Sequence, residues 1–249
     1  MKKEIMFQGV CLALIGVFVL SVSSGYANTS SEHVVKGNAY VQQGNYDQAF
    51  LEFNKAIETN PNDAEAYNNR GLIYQNKGNL TQGIADIAKA VEIDPKMAKA
   101  YSNLGAIYES QGDYAQAIAE LNKAIENDPN DAMAYYNRGL SNYQLNNLSQ
   151  AITDLTRAIE INPNLYVAWY SRGLAHTRLQ HYPEAIADYT NAIKISPSYA
   201  KAYYDRGVAY YATRKFDNAW ADEHKAAELG YAVNPELLDG LRKASGRDQ

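Results

Sequence analysis

The residue types that most often carry chemistry are scarce in this 249-residue chain. Its histidines are His33, His176, His181 and His224, and none occurs in the HExxH spacing that binds zinc. There is no glycine-rich phosphate loop and no nucleophile with a local signature. His176 and His181 straddle a predicted turn and form the remaining metal-site candidate. We therefore expect no enzyme activity, no catalytic residue, no cofactor and no metal.

Five prolines recur every 34 residues, so the chain is built from one repeated unit. They are Pro61, Pro95, Pro129, Pro163 and Pro197. Proline lacks a backbone N–H and clashes with the preceding helical turn, so a proline at one phase of a helical pattern marks a recurring helix end. Within each interval two helical patterns flank a short break such as Gln111-Gly112-Asp113, which predicts a helix, a tight turn and a second helix.

Aligning the intervals gives six copies, at residues 30–63, 64–97, 98–131, 132–165, 166–199 and 200–233. Position 8 of every copy is glycine, position 20 is small, and position 4 is aromatic in copies two to six. A glycine inside a helix costs about 1 kcal/mol relative to alanine. We therefore expect each glycine to allow a close approach of the paired helices, with position 8 facing the small residue at position 20.

The copies also match a known sequence pattern. Copy five reads Trp169-Tyr170-Ser171-Arg172-Gly173 and continues through Ala185, Tyr189 and Pro197. This resembles the W-x2-L-G-x2-Y…A-x3-F…P pattern of the tetratricopeptide repeat family. Position 7 departs from that pattern, being mostly arginine, and Tyr231 stands in place of a sixth proline. The resemblance implies an all-α, right-handed superhelical solenoid of six helix-turn-helix repeats.

The two ends of the repeat array differ from its middle. Residues 234–249 are expected to form a capping helix and a tail, because Asn234 can cap a helix whose first residue is Pro235. Leu237, Leu238 and Leu241 would then cover the apolar side of the last repeat. At the other end, residues 1–27 carry two lysines, an apolar run and small residues before Ala27, which is the layout of a secretory signal peptide.

This leader and the composition indicate the compartment and exclude some partners. We expect cleavage after Ala27, no stable membrane insertion afterwards, and a periplasmic or secreted protein, since the short dilysine leader is typical of bacteria. The only cysteine, Cys11, lies inside the leader, so the exported chain has no disulfide. The formal charge is −5, which argues against a nucleic-acid partner.

Position 7 carries an arginine in four copies, and an aspartate follows each one 16 residues later. The pairs are Arg70 with Asp86, Arg138 with Asp154, Arg172 with Asp188, and Arg206 with Asp222. One interpretation is a row of arginines that binds an anionic partner. We favour the alternative, an ion pair that braces the two helices of each repeat, because the acid accompanies the arginine every time. Copy one has Lys36 with Glu52 at these positions.

The first helices should line a concave groove that binds an extended peptide. An asparagine side chain can pair with a peptide backbone, and tyrosines are enriched where proteins meet. The alternative for the tyrosines is packing on the next repeat. The candidate groove residues are Asn38, Asn69, Lys99, Asn103, Asn137, Tyr136, Tyr143, Tyr170, Tyr204 and Tyr211.

One family-derived binding mode is expected to be absent. Carboxylate-clamp members of the family bind the C-terminal tails of cytosolic chaperones through lysine, asparagine and arginine side chains. Asn38, Asn69 and Lys99 match that set, but Val34 stands in place of a lysine and Asn103 in place of an arginine.

The sequence thus predicts a non-enzymatic adaptor that binds a protein or peptide client in the cell envelope. Two alternatives remain open: a self-associating structural scaffold, and an accessory subunit of an envelope or secretion complex. No residue identifies the client.

Overall fold

A computed structural model describes residues 29–232 and 234–246 of the chain. The predicted signal peptide and its cleavage site after Ala27 lie outside the described residues. The regular structure of the described part is entirely α-helical and comprises thirteen helices. The prediction of an all-α helical repeat solenoid is confirmed.

The helices divide between two compact units, of which one ends at Pro95 and the other begins at Lys96. The first unit holds α1 (Ser30–Gln42), α2 (Tyr46–Thr59), α3 (Ala64–Asn76) and α4 (Leu80–Ile93). The second unit holds α5 (Ala98–Ser110), α6 (Tyr114–Asn127), α7 (Ala132–Gln144), α8 (Leu148–Ile161), α9 (Tyr166–Arg178), α10 (Tyr182–Ile195), α11 (Ala200–Ala212), α12 (Phe216–Glu228) and α13 (Pro235–Ser245).

The helix boundaries follow the 34-residue repeat. Each first helix begins at the first residue of a predicted copy, and each second helix of copies one to five ends two residues before the recurring proline. Several first turns are closed by a side chain, as where the carboxylate of Asp63 accepts a hydrogen bond from the Ala66 N–H at 2.9 Å. Such caps satisfy backbone donors that have no partner inside the helix.

The tight turn inside each repeat uses one residue in the left-handed region. This residue is Gly44, Gly78 or Gly112 in the first three copies, with φ between 72° and 78°. In the last three copies it is Asn146, Gln180 or Arg214, with φ between 60° and 62°. Glycine adopts this backbone conformation without steric cost, whereas glutamine and arginine do not. The turns at Gln180 and Arg214 are therefore strained relative to the first three, whereas asparagine, at Asn146, tolerates this conformation.

The position-8 glycines permit close packing of the paired helices, but the facing residue differs from the prediction. A Cβ on Gly105 would lie 2.5 Å from the Cγ of Leu121, which is at position 24 of the copy and not at position 20. The same holds in copy five, where a Cβ on Gly173 would lie 2.6 Å from the ring of Tyr189. Position 20 is close in copy two, where a Cβ on Gly71 would lie 3.0 Å from the Gly83 carbonyl oxygen. The large side chain at position 24 therefore fills the space that glycine leaves.

The capping helix α13 packs on the last repeat as predicted. The Asn234 side chain accepts a hydrogen bond from the Glu236 N–H at 2.9 Å, and Pro235 is the first helical residue. Leu241 is fully buried in a cluster with Ala219 and Trp220, and Leu238 packs against that cluster. The third predicted residue, Leu237, has its side chain outside the described part of the structure.

Candidate functional site

In the second unit, the first helices of successive repeats contact one another. These helices are α5, α7, α9 and α11, and we call the surface they form together the first-helix face of the second unit. Direct contacts join neighbouring helices along it: the Tyr170 hydroxyl on α9 donates to Asp205 Oδ2 on α11 at 2.7 Å. Arg178 on α9 lies 4.0 Å from the ring centroid of Tyr143 on α7. The predicted groove residues of the second unit all lie on these four helices.

Three of the predicted groove tyrosines occupy position 5, and all three are half-buried. The smaller residues at position 5 of the first three copies, Val34, Asn68 and Ser102, are buried. A tyrosine ring is longer, so at Tyr136, Tyr170 and Tyr204 it fills the same space and also reaches the surface. Groove exposure and packing on the next repeat were the two alternatives. The half-burial shows that these rings pack on neighbouring residues, and their exposure to a binding groove stays a prediction.

The contacts of these tyrosines show what each ring packs against. Tyr170 packs edge-on against Tyr199, with ring centroids 5.0 Å apart, and Tyr204 lies 4.9 Å from Tyr231. Burial raises the pKa of Tyr136 and Tyr204. Burial and then the charge of Asp205 raise the pKa of Tyr170 well above its usual range. All three phenols are therefore neutral at physiological pH and can act as hydrogen-bond donors.

The two tyrosines at position 12 have different environments. Tyr143 lies beneath the Arg178 guanidinium, and Arg178 also donates a hydrogen bond to the Tyr143 carbonyl oxygen at 3.3 Å. Tyr211 packs against Phe216 and the α13 cluster, and its hydroxyl lies close to Gly240. Tyr211 therefore contributes to the attachment of the capping helix.

Some of the predicted groove asparagines already form hydrogen bonds within the protein. In the first unit the Asn69 amide donates to Asn38 Oδ1 at 2.9 Å, and the Asn38 amide donates to Glu65 Oε1 at 3.2 Å. Asn103 and Asn137 are half-buried on α5 and α7, and Lys99 is exposed on α5. A small cavity of about 170 Å³ in the first unit is lined by Asn38, Val41, Tyr46, Asn69, Leu72, Ile73 and Asn76.

The arginines at position 7 form ion pairs inside their repeats, which confirms the favoured interpretation. Arg138 donates to Asp154 through Nε at 3.0 Å and through Nη2 at 2.6 Å, a two-point contact that sets the angle between α7 and α8. The other three pairs have the same geometry, with distances from 2.7 to 2.9 Å.

Each of these arginines also makes two contacts that the sequence did not predict. Nη1 donates to a side chain on the second helix of the preceding repeat, namely Asn54, Asn122, Thr156 or Thr190. The guanidinium lies over the aromatic ring at position 4, at 5.0 Å in the case of Arg172 and Trp169. One arginine thus connects three helices, and it is not available to an anionic partner.

In copy one the acidic partner of Lys36 is used differently. Glu52 accepts from His33 Nδ1 at 2.7 Å and from Lys55 Nζ at 2.7 Å. The hydrogen bonds from Lys55 and then from His33 lower the pKa of Glu52. Lys36 is exposed, and no hydrogen bond joins it to Glu52 among the described contacts. The suggested pairing of Lys36 with Glu52 is therefore wrong.

The only predicted metal candidate is a pair of histidines without further ligands. The rings of His176 and His181 lie 5.9 Å apart, and His176 Nε2 is 4.0 Å from Asp188 Oδ2. Burial lowers the pKa of His176. Within residues 29–232 and 234–246 no group of three or more His, Cys, Asp or Glu side chains has the arrangement to hold a metal ion.

Within the described part of the chain, three carboxyl groups associated with the first-helix face form no ion pair. They are Glu109 on α5, Asp205 on α11 and Glu223 on α12, and burial raises the pKa of each. For Glu223 the pKa is about 8. The sequence analysis missed Glu223, although its alignment contains the signal: position 24 is Phe53, Ile87, Leu121, Leu155 and Tyr189 in the other copies.

Stacked helix pairs with an exposed polar and aromatic face define a helical repeat solenoid, a fold that typically serves protein interaction and not catalysis. Models of the tetratricopeptide repeat match residues 62–130 and 100–165, and a TPR repeat model matches residues 37–78 and 177–213. The chain belongs to the tetratricopeptide repeat family.

Solved structures of similar proteins support this assignment. The crystal structure of MamA is 31% identical, with 64% of this chain and 94% of MamA covered at a TM-score of 0.61. YrrB, described as a TPR protein with an unusual peptide-binding site, is 26% identical over 78% of this chain and 97% of YrrB, with a TM-score of 0.63.

A third solved structure is similar to this chain in fold only. PilW, a type IV pilus biogenesis factor, is 19% identical over 85% of this chain and 98% of PilW, with a TM-score of 0.73. No protein of curated function matches the sequence. In the described part of the chain, no helix has the length and apolar character needed to cross a membrane.

Proposed function

We propose that this protein is a non-enzymatic adaptor that binds an extended peptide or protein segment on its first-helix face, after export to the bacterial cell envelope. Its functional region is the array of six repeats at residues 28–233, and residues 234–249 close the end of the array. The binding residues on this face are Lys99, Asn103, Asn137, Tyr136, Tyr143, Tyr170 and Tyr204.

The observation that carries this proposal is the first-helix face of the second unit. There, four successive helices present half-buried tyrosines beside polar side chains such as Asn103 and Asn137. A half-buried tyrosine is already held by its neighbours, so it loses little conformational entropy when a partner covers it. The polar neighbours can pair with the backbone of an extended segment. The similarity to YrrB, a TPR protein with a peptide-binding site, agrees with this use of the face.

The test compares capture of envelope proteins by the wild-type chain and by a face variant. The variant carries Tyr136→Ser and Tyr170→Asn, because serine and asparagine occupy position 5 in copies three and two, at Ser102 and Asn68. A control variant carries Asn127→Ala and Tyr182→Ala, which are located away from the first-helix face on α6 and α10. Thermal melting of each variant verifies folding.

We expect quantitative mass spectrometry to detect a client that the wild type and the control capture and the face variant does not. The same captured proteins from all three chains would exclude this face as the binding site. Light scattering over a concentration range addresses the scaffold alternative: an adaptor stays monomeric, whereas a self-associating scaffold grows in mass with concentration.

A further inference from the structure

We propose that the first-helix face of the second unit binds a lysine or arginine side chain of the client, with Asp205 as its direct contact and Glu223 as a second counter-charge behind it. This inference rests on the proposed function, since it names the chemistry of the segment that the adaptor binds. It depends on a cluster of two carboxyl groups and four tyrosine rings in the last two repeats.

Glu223 is a buried carboxyl group to which the described residues supply no hydrogen-bond partner. Only 1% of its surface is exposed, and neither carboxyl oxygen has a hydrogen-bond partner among the described residues. Its Oε1 lies over Gly207 on α11, where a Cβ would be 2.5 Å away. An unpaired buried carboxyl group costs free energy that a leucine at this position would not. This cost indicates that the carboxyl group has a role other than packing.

Asp205 acts electrostatically on Glu223 and is in direct contact with one of the tyrosines. Its carboxylate accepts the Tyr170 hydroxyl at 2.7 Å and interacts electrostatically with Glu223, Tyr199 and Tyr204. Burial raises the pKa of Asp205, while Lys201 and the Tyr170 hydrogen bond act in the opposite direction. Asp205 is half-buried, so a ligand can reach it, whereas Glu223 is enclosed.

The other buried acidic residues show what these two lack. Asp86, Asp154, Asp188 and Asp222 each pair with an arginine at 2.7 Å or less, and Glu52 pairs with Lys55. Among the ion pairs of the described residues, neither Asp205 nor Glu223 takes part. The chain therefore pairs its structural carboxylates directly with cations, whereas Lys201 acts on Asp205 without forming an ion pair among the described contacts.

The surrounding rings favour an organic cation. Tyr170 packs on Tyr199 at 5.0 Å and Tyr204 on Tyr231 at 4.9 Å. The Tyr170 hydroxyl contacts Asp205 directly, and the charge of Asp205 also acts on Tyr199 and Tyr204. Aromatic faces attract ammonium and guanidinium groups, and carboxylates bind them with charge-assisted hydrogen bonds. A divalent metal would need more oxygen ligands than two carboxyl groups supply. An anionic side chain would be repelled by the negative charge of Asp205.

The experiment selects binders from a phage-displayed library of random dodecapeptides. The baits are the chain with its leader removed and the variants Asp205→Asn, Glu223→Gln and Glu126→Gln, the last being a control at an exposed position on α6. With the wild type and the control, we expect the selected peptides to contain one position enriched in lysine or arginine. With Asp205→Asn we expect this enrichment to disappear.

A selected peptide is then synthesised with arginine and with citrulline, its neutral isostere, at the enriched position. We expect the citrulline form to bind the wild type about tenfold more weakly and to bind Asp205→Asn as well as the arginine form does. Selected peptides without basic enrichment, or equal binding of the two forms by the wild type, would overturn this inference and leave the adaptor function standing. Failure to select any peptide that binds above background would overturn both.

The pH dependence of binding distinguishes Glu223 as a counter-charge from Glu223 as a packing residue. The charged groups that face it are Asp222 on its own helix and Asp205 on α11, and Tyr204 on α11 is neutral in this range. Because the pKa of Glu223 is about 8 in the free protein, a bound cation must displace its proton at lower pH. We expect the affinity of the arginine peptide to rise from about pH 6 to about pH 9, and Glu223→Gln to remove this rise. An equal rise in both proteins would exclude Glu223 from the site.

Discussion

At Glu223 the last repeat places a carboxyl group where the other five copies place an aromatic or aliphatic side chain. The position is enclosed, and the group has no hydrogen-bond partner among the described residues. Burial, followed by the charges of Asp222 and Asp205, raises the pKa of Glu223 to about 8. The folded protein therefore holds a proton on Glu223 at neutral pH, which the unfolded chain would release.

This proton makes stability depend on pH in a defined direction. The folded pKa of about 8 exceeds the ordinary value of 4.5, so the folded state binds more protons between these values and stability falls as pH rises through that window. Glu223→Gln has no titrating group at this position, so we expect its free energy of unfolding to fall less over this pH window, by an amount on the order of a few kcal/mol. Glu223→Leu should raise the free energy of unfolding at neutral pH and above. Denaturant titrations at several pH values measure both, and parallel pH profiles for wild type and Glu223→Gln would contradict the assignment.

A second residue-scale prediction concerns the turn at Arg214. Its φ of 61° is left-handed, and the first three repeats have glycine at this position. Because glycine adopts this conformation without steric cost, Arg214→Gly should stabilise the protein by about 1 kcal/mol. The reciprocal change Gly112→Ala should destabilise it by a similar amount, since Gly112 has φ of 78°. Thermal melting tests both predictions. A lower melting temperature for Arg214→Gly and a higher one for Gly112→Ala would show that these turns do not have the left-handed conformation described.

At the scale of the element, each helix pair is held by a close approach at glycine, and four of the six pairs are also held by one arginine. A Cβ on Gly105 would lie 2.5 Å from Leu121, closer than side chains pack. Gly105→Ala, and more strongly Gly105→Leu, should therefore lower the melting temperature, with an overpacking cost of about 1–3 kcal/mol. Adding Leu121→Ala to Gly105→Leu should recover part of the loss. A melting temperature unchanged by Gly105→Leu would reject this packing.

The arginine contacts can be tested with a double-mutant cycle. Asp154 is buried, with 6% of its side chain exposed, and pairs with Arg138 at 2.6 Å. Arg138→Leu leaves that carboxylate without its cation, which should cost about 3–5 kcal/mol. The double variant Arg138→Leu with Asp154→Ala should lose much less, because no unpaired charge remains. Copy three already has a leucine here, at Leu104. Additive losses in urea denaturation would mean that the two side chains do not interact.

At the scale of the whole molecule, the described chain consists of two compact units, and the second is closed by α13. Leu241 is fully buried against Trp220, and the Trp220 indole N–H donates to Ser245 Oγ at 3.1 Å. Removing residues 234–249 would uncover Trp220 and Tyr211. We expect the shortened chain to melt at a lower temperature and to associate with increasing concentration, which size-exclusion chromatography with light scattering detects. A stable monomer would show that α13 is not needed to cover the end of the array.

The contacts made by the recurring positions of the repeat could be predicted from the sequence to different degrees. The ion pairs of Arg70, Arg138, Arg172 and Arg206 could be predicted because donor and acceptor recur at one spacing in every copy that has the arginine. The contact to the preceding repeat was not predicted, since its acceptor is asparagine in two repeats and threonine in the other two. The Asn38–Asn69 hydrogen bond and the half-burial of Tyr136 and Tyr170 depend on how far each side chain extends towards a neighbouring helix. An alignment of the copies does not contain this information.

The sequence by itself determined the repeat, its helix boundaries and its family, because 34-residue periodicity records which residues share an environment in every copy. Only the tertiary structure decided that the position 24 side chain covers the glycine of each repeat, that Asp205 accepts the Tyr170 hydroxyl, and that Glu223 is enclosed. The physical reason is the sequence separation of the interacting residues. Helix formation and turn geometry depend on residues close together in the chain, whereas burial and the resulting pKa shifts depend on neighbours many residues away.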